Sequence, residues 1–183
     1  LGAVTGLAPY TYPAGRLLPF APVVVTAIVL LAQRERLRRR WARLILAGAV
    51  ACVVVAPLLF NFAIHPDQLL LRSSQIAVGA APETGTFWKN LLATLGMFSF
   101  HGDTDPRNNP PGMPVLDPLM SIAFYLGIIV VLARRRPALL SLLGAGALMA
   151  VPTILSEYAP HFRRAIGMAP IVAMLSGIGL ATI

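Results

Sequence analysis

The chain has 183 residues, 57% of them apolar and only 12% charged, with a formal net charge of +8. That charged share is about half the usual one for a soluble domain, so the composition excludes a water-soluble globule and predicts an all-α, polytopic membrane helical bundle. Cys52 is the single cysteine and lies inside an apolar run, which excludes a disulfide framework and a thiolate metal cluster.

In chain order, Leu1 to Ala8 reads as the tail of a preceding span, followed by the polar connection Tyr10-Thr-Tyr-Pro-Ala-Gly-Arg16. Leu17 to Ala32 is the first full apolar run, and Ala14 and Gly15 can extend it across a core of about 30 Å. Leu44 to Ile64 is the second span, Pro118 to Ala133 the third, Pro137 to Leu155 the fourth and Ala165 to Ile183 the fifth. The long segment 65–117 is expected to be an external loop region with two interfacial helices. The first, Ile64 to Val78, opens with Pro66 and Asp67 and clusters its leucines before Arg72. The second, Thr86 to Phe100, carries Phe87, Trp88, Leu91, Leu92, Leu95 and Phe98 as a broad apolar face, with Trp88 beside Lys89 at headgroup level. The whole, residues 1–183, reads as one transmembrane domain cut from a longer protein, with no signal peptide or targeting tag.

Charge sets the expected orientation. Residues 33–43 and 134–136 hold nine arginines and one glutamate, a net +8 that equals the charge of the entire chain. Short loops rich in arginine stay cytoplasmic, so the segments 9–16, 65–117 and 156–164 are expected on the outer face of a plasma membrane. The basic links are topology signals that touch anionic lipid. They give no reason to expect nucleic acid as a partner.

The polar run Ser99 to Asp117, SFHGDTDPRNNPPGMPVLD, carries most of the chemistry. Pro106, Pro110, Pro111 and Pro114 fix φ, while Gly102 and Gly112 allow turns, so a stiff and shaped loop is expected. Arginines on the outer side run against the general bias. Arg16, Arg72, Arg107, Arg163 and Arg164 would suit a lipid phosphate, because a guanidinium presents a planar fork to phosphate oxygens. Each could instead snorkel to headgroups or pair with a nearby acid. His101, Asp103 and Asp105 form H-x-D-x-D, which could ligate a divalent cation, and the two carboxylates could alternatively serve as a base toward an acceptor hydroxyl. Asp-Thr-Asp-Pro is also an ordinary turn former. His65 and His161 adjoin prolines at span ends and read first as capping residues. No G-x-S-x-G elbow or Walker-type loop is present.

Four ordered segments carry a resemblance: GLAPYTYPAGRLLP (Gly6 to Pro19), HP-x4-LR (His65 to Arg72), GDTDPRNNPPGMPVLDP (Gly102 to Pro118) and SEYAPHFRRAIGMAP (Ser156 to Pro170). Together they resemble the C-terminal part of bacterial membrane glycosyltransferases of the GT-C class, in glycosyltransferase family 39, related to protein O-mannosyltransferases and aminoarabinose transferases. The resemblance implies transfer of a sugar from a polyprenyl-phosphate donor to an acceptor at the outer face, with membrane lipids as the other partner; no cofactor is expected, with a divalent metal as the alternative. It implies that the main catalytic acid lies upstream of this stretch. Lipid-phosphate contacts are expected from Arg16, Arg107 and Arg163, with Tyr10 and Tyr12 as hydroxyl donors and Arg72, Arg164 and His161 as further candidates. Members often carry RHN-x-PG where this chain has RNNPPG, so Asn108 stands in place of a histidine. A transporter or lipid flippase, and a non-catalytic membrane scaffold, are the other classes. A transporter calls for ionisable or broken helices at mid-membrane, whereas here the polar residues gather at span ends.

Overall fold

The computed structural model describes residues 1–11, 16–32, 41–67 and 86–183, and its regular elements there are all helical. They are α1 (Gly2–Leu7), α2 (Phe20–Ala32), α3 (Trp41–Ile64), α4 (Phe87–Gly96), α5 (Pro118–Arg134), α6 (Pro137–Ile154), α7 (Phe162–Ala165) and α8 (Ala169–Leu180). Short 3-10 turns at Ala8–Tyr10 and Ile166–Met168 follow α1 and α7.

The helix starts follow local chemistry. Pro118 and Pro137 stand where a helix has no use for an N–H, and the Asp117 side chain accepts from the Met120 amide at 2.9 Å. Thr86 caps α4 in the same way through the Lys89 amide. Arg135 ends α5 in the left-handed conformation, with φ of 46°, before Pro137 begins the next helix.

Packing uses backbone approach as much as side-chain bulk. A Cβ on Gly127 would strike the carbonyl of Leu175, and one on Gly179 would strike that of Ala123, so α5 and α8 touch along their backbones. Gly2 and Gly6 do the same for α1 against Ala47 and Ala51 of α3. Above the α5–α8 seam, Met97, Phe98, Phe124, Val172 and Leu175 form the apolar core, with the Phe98 and Phe124 rings 4.9 Å apart.

Three stretches are long and apolar enough to cross a membrane: Trp41–Ile64, Pro137–Ile154 and Phe162–Leu180. The apolar helices Phe20–Val29 and Pro118–Arg134 are shorter, so the count of five full-length spans is not reached by length alone. The first begins at Phe20 and not Leu17, and the last is broken at Ile166–Met168 before α8. α3 buries none of its residues, an outer surface suited to lipid. The second expected surface helix forms as α4, but with its polar face inward. Asn90 and Thr94 are buried, whereas Trp88 is 70% exposed and Phe87, Leu92 and Leu95 also face out. The helix expected over Ile64 to Val78 lies largely outside the described residues.

The close seam generates a stability prediction. Gly179→Ala should lower stability by about 1–3 kcal/mol, the usual cost of overpacking. Gly177→Ala, where a Cβ meets nothing within 4 Å, should be neutral in thermal unfolding of the detergent-solubilised protein.

Candidate functional site

The loop between α4 and α5 is closed by its own backbone. Gly102 N–H donates to Gly112 O at 3.0 Å, Gly112 N–H to Asp103 O at 2.9 Å, and Val115 and Leu116 amides donate to Met97 and Phe98 carbonyls. Gly112 adopts φ of 77°, a conformation that disfavours a side chain. Proline stiffness is therefore joined by a ladder that fixes both arms.

The segment after α6 is fixed from three sides. The Asn90 amide on α4 donates to Ile154 O at 3.1 Å and to Ser156 O at 2.7 Å, satisfying carbonyls at the end of α6. Ser156 Oγ donates to Thr153 O at 2.7 Å, and Thr153 Oγ1 accepts from the His161 amide at 2.8 Å. The Ala159–Pro160 peptide is cis. By connectivity this segment and the α4–α5 loop sit at one end of the α5–α6 pair, and Arg134 to Arg136 sit at the other.

Asp103 joins the two segments. It is 0% exposed. Its Oδ1 accepts from the Asp105 amide at 2.9 Å, and its Oδ2 accepts from Asn108 Nδ2 at 2.7 Å and from the Phe162 amide at 2.9 Å. The Phe162 N–H belongs to the first turn of α7, so a carboxylate from 59 residues away caps that helix. This placement gives Asp103 no open face for an acceptor hydroxyl.

Asp105 holds Arg107. Arg107 Nε donates to its carboxylate at 3.0 and 3.2 Å, Nη2 does so at 2.8 Å, and the Arg107 amide adds 3.0 Å. The hydrogen-bonded guanidinium holds the Asp105 carboxyl at about 2, and the carboxylate raises Arg107 in turn. The clamp is thus present above the ordinary carboxylate range and is lost only as pH falls through about 2. The Arg107 side chain is 75% exposed, pre-aimed but solvated.

Arg107, Asn108, Phe162, Arg163 and Ile166 line one cleft of about 460 Å³. Arg163 is exposed and forms no salt bridge among the described residues, although its charge reaches Asp105 and helps to lower that carboxyl. Arg164 differs, with Glu157 3.6 Å away. Phe162 and Ile166 also line an apolar cavity of about 310 Å³, together with Met97, Phe98, Met168 and Val172. Phe98, Met168 and Val172 in turn line a larger apolar groove of about 640 Å³ between α4, α5, α6 and α8.

No known family, curated protein or solved structure matches the chain.

The sequence-predicted residues divide sharply. Arg107 and Arg163 meet at the cleft. Arg16 is not among the residues lining it; its guanidinium lies 4.8 Å from the centroid of Phe62. The Tyr10 hydroxyl is occupied elsewhere, donating to Val54 O at 2.9 Å and accepting from Leu58 N–H at 3.2 Å beside Pro57 of α3. Tyr12 and Arg72 lie outside the described residues. His65 and His101 are exposed. His101, Asp103 and Asp105 do not converge, and no group of three His, Cys, Asp or Glu side chains among the described residues is arranged to hold a metal.

His161 occupies the position before α7, yet its side chain caps nothing. It stacks on Tyr158 with centroids 5.1 Å apart, and its Nδ1 is buried without a hydrogen bond, 3.9 Å from Asp103 Oδ2. Burial pushes the Tyr158 hydroxyl up, with the Asp103 and Asp105 charges adding to it. Sequence reading did not single out Asn90, Thr153 or Ser156. Asn90 and Thr94, four residues apart and so on one face of α4, are the signal that could have found Asn90.

Burial, then the Arg164 charge, pushes His161 below its ordinary value. The unfolded chain therefore binds a proton near pH 6.5 before the fold does, and stability falls as pH drops through that window. The melting temperature should decline between about pH 7.5 and 5.5 in the natural protein, and His161→Gln should flatten that decline in calorimetry.

Proposed function

We propose that this chain is part of a membrane glycosyltransferase that moves a sugar from a polyprenyl-phosphate donor to an acceptor at the outer face of the membrane. In this reading five apolar stretches cross the bilayer, the shorter ones with local thinning or flanking residues. Residues 33–43 and 134–136 are cytoplasmic, and the cleft opens at the outer leaflet. The main catalytic acid comes from an upstream part of the protein, and this part binds the donor phosphate.

One observation carries the reading: two guanidinium groups line a cleft whose walls, Phe162 and Ile166, also bound an apolar cavity. A ligand with an anionic head and a long hydrocarbon tail needs those two environments side by side. When an acceptor hydroxyl attacks the anomeric carbon, it gives its proton to the carboxylate of the upstream catalytic residue, the bond to the phosphate oxygen breaks and charge grows on the departing phosphate. In this reading Arg163 and Arg107, the latter held in place by Asp105, stabilise that charge near a low-dielectric boundary.

The test uses the full-length enzyme and a radiolabelled polyprenyl-phosphate sugar. Arg163→Ala should lower transfer by about 10²–10³-fold, the loss typical of removing one preorganised donor, and Arg107→Ala should lower it in the same direction. Arg16→Ala should retain more activity than either. Undiminished transfer in both cleft variants would overturn the proposal.

A further inference from the structure

The cleft is made by two pieces of chain that are distant in sequence and share no helix. Arg107 rides on the α4–α5 loop, and Arg163 rides on α7. Their separation is what a phosphate would read, because two guanidinium forks grip one phosphoryl group only at a suitable spacing. Nothing in either segment alone sets that spacing.

We propose that Asp103 is the positioning residue of the cleft, a buried carboxylate that fixes Arg107 relative to Arg163 without itself touching a ligand. The inference rests on the phosphate-binding reading above. Within the loop Asp103 holds the Asp105 amide and the Asn108 side chain, the residues on either side of Arg107. Its carbonyl accepts from Gly112, closing the loop. The same Oδ2 that binds Asn108 accepts from Phe162 N–H, next to Arg163. One carboxylate oxygen therefore receives a donor from each half of the cleft.

The role needs a charge. A buried carboxylate is stable only when surrounded by donors, and here the donors are supplied by both segments, so separating them strands the carboxylate. Charge-assisted hydrogen bonds are also the stronger class. In Asp103→Asn the side chain keeps its shape, but its NH2 must face a backbone donor whichever way the amide turns: the Asp105 N–H on one side, or the Phe162 N–H on the other.

The experiment measures position and binding separately, on the full-length protein in lipid nanodiscs. Position is read by electron paramagnetic resonance between nitroxides at Thr104→Cys on the loop and Ile166→Cys directly after α7, both exposed positions, in a Cys52→Ser background. Binding is read with dodecyl phosphate as probe. Asp103→Asn should broaden the distance distribution with helical content unchanged, and should weaken dodecyl phosphate about tenfold or more. An unaltered distribution, or unaltered affinity in a protein that binds the probe, overturns the positioning role. If the natural protein fails to bind dodecyl phosphate, the phosphate reading of the cleft is overturned, and the distance measurement still decides whether Asp103 joins the two segments. Should Asp103→Asn not fold, Asn108→Ala removes a single donor and should broaden the same distance by less; no broadening there overturns the proposal.

Discussion

A carboxylate taken wholly out of water has to be met by donors on every side, and this requirement around Asp103 organises the polar end of the molecule. The donors come from two amides and one side chain, contributed by the α4–α5 loop and by the first turn of α7. The loop ladder and the turn after α6 each bring their own internal bonds, and this carboxylate binds the loop to the start of α7 by hydrogen bonds. The cleft that holds Arg107 and Arg163 is the space left beside that junction.

The remainder of the fold obeys the logic of a nonaqueous surrounding. Polar side chains turn inward to close helix ends, as Asn90 does for α6, and apolar ones turn outward, as on α3 and the far side of α4. Helices this apolar are compatible with a membrane, where burying leucine gains little, and here contact is made by glycines that let backbones meet. The same arrangement puts apolar cavities directly behind a cleft lined by arginine.

Elements whose signals are local were legible in the sequence. Pro118, Pro137 and the threonine and aspartate before the helices mark starts that the structure keeps to within a residue, and apolar runs through Pro57 and Pro152 stay helical because each helix continues past its proline. Arg107 and Arg163 stood out together with Arg16, Arg72 and Arg164 as arginines against the expected charge bias, but nothing in the sequence separated the two that line one cleft from the others. What sequence could not supply was partnership over distance. H-x-D-x-D looked like a ligand set, but Asp103 is committed to a helix 59 residues on and Asp105 to its neighbour Arg107. Tyr10 and Arg16 read as interface groups, and their partners on α3 lie more than 40 residues away.

That last pairing has a mechanical effect. The Tyr10 hydroxyl sits between Val54 O and Leu58 N, one turn of α3 at its internal proline, and so acts as a splint across the joint where a helix bends most readily. Any flexing of α3 at Pro57 must either break those two bonds or drag the 8–11 turn with it. Since Arg16 rests on Phe62 beyond the joint, the connection into α2 is carried by the same hinge, and α2 in turn leans on α6 through Val24, Ile28 and Gly144. A continuous series of side-chain contacts thereby joins a helix with no buried residue to the helix whose far end bears the turn leading to Arg163.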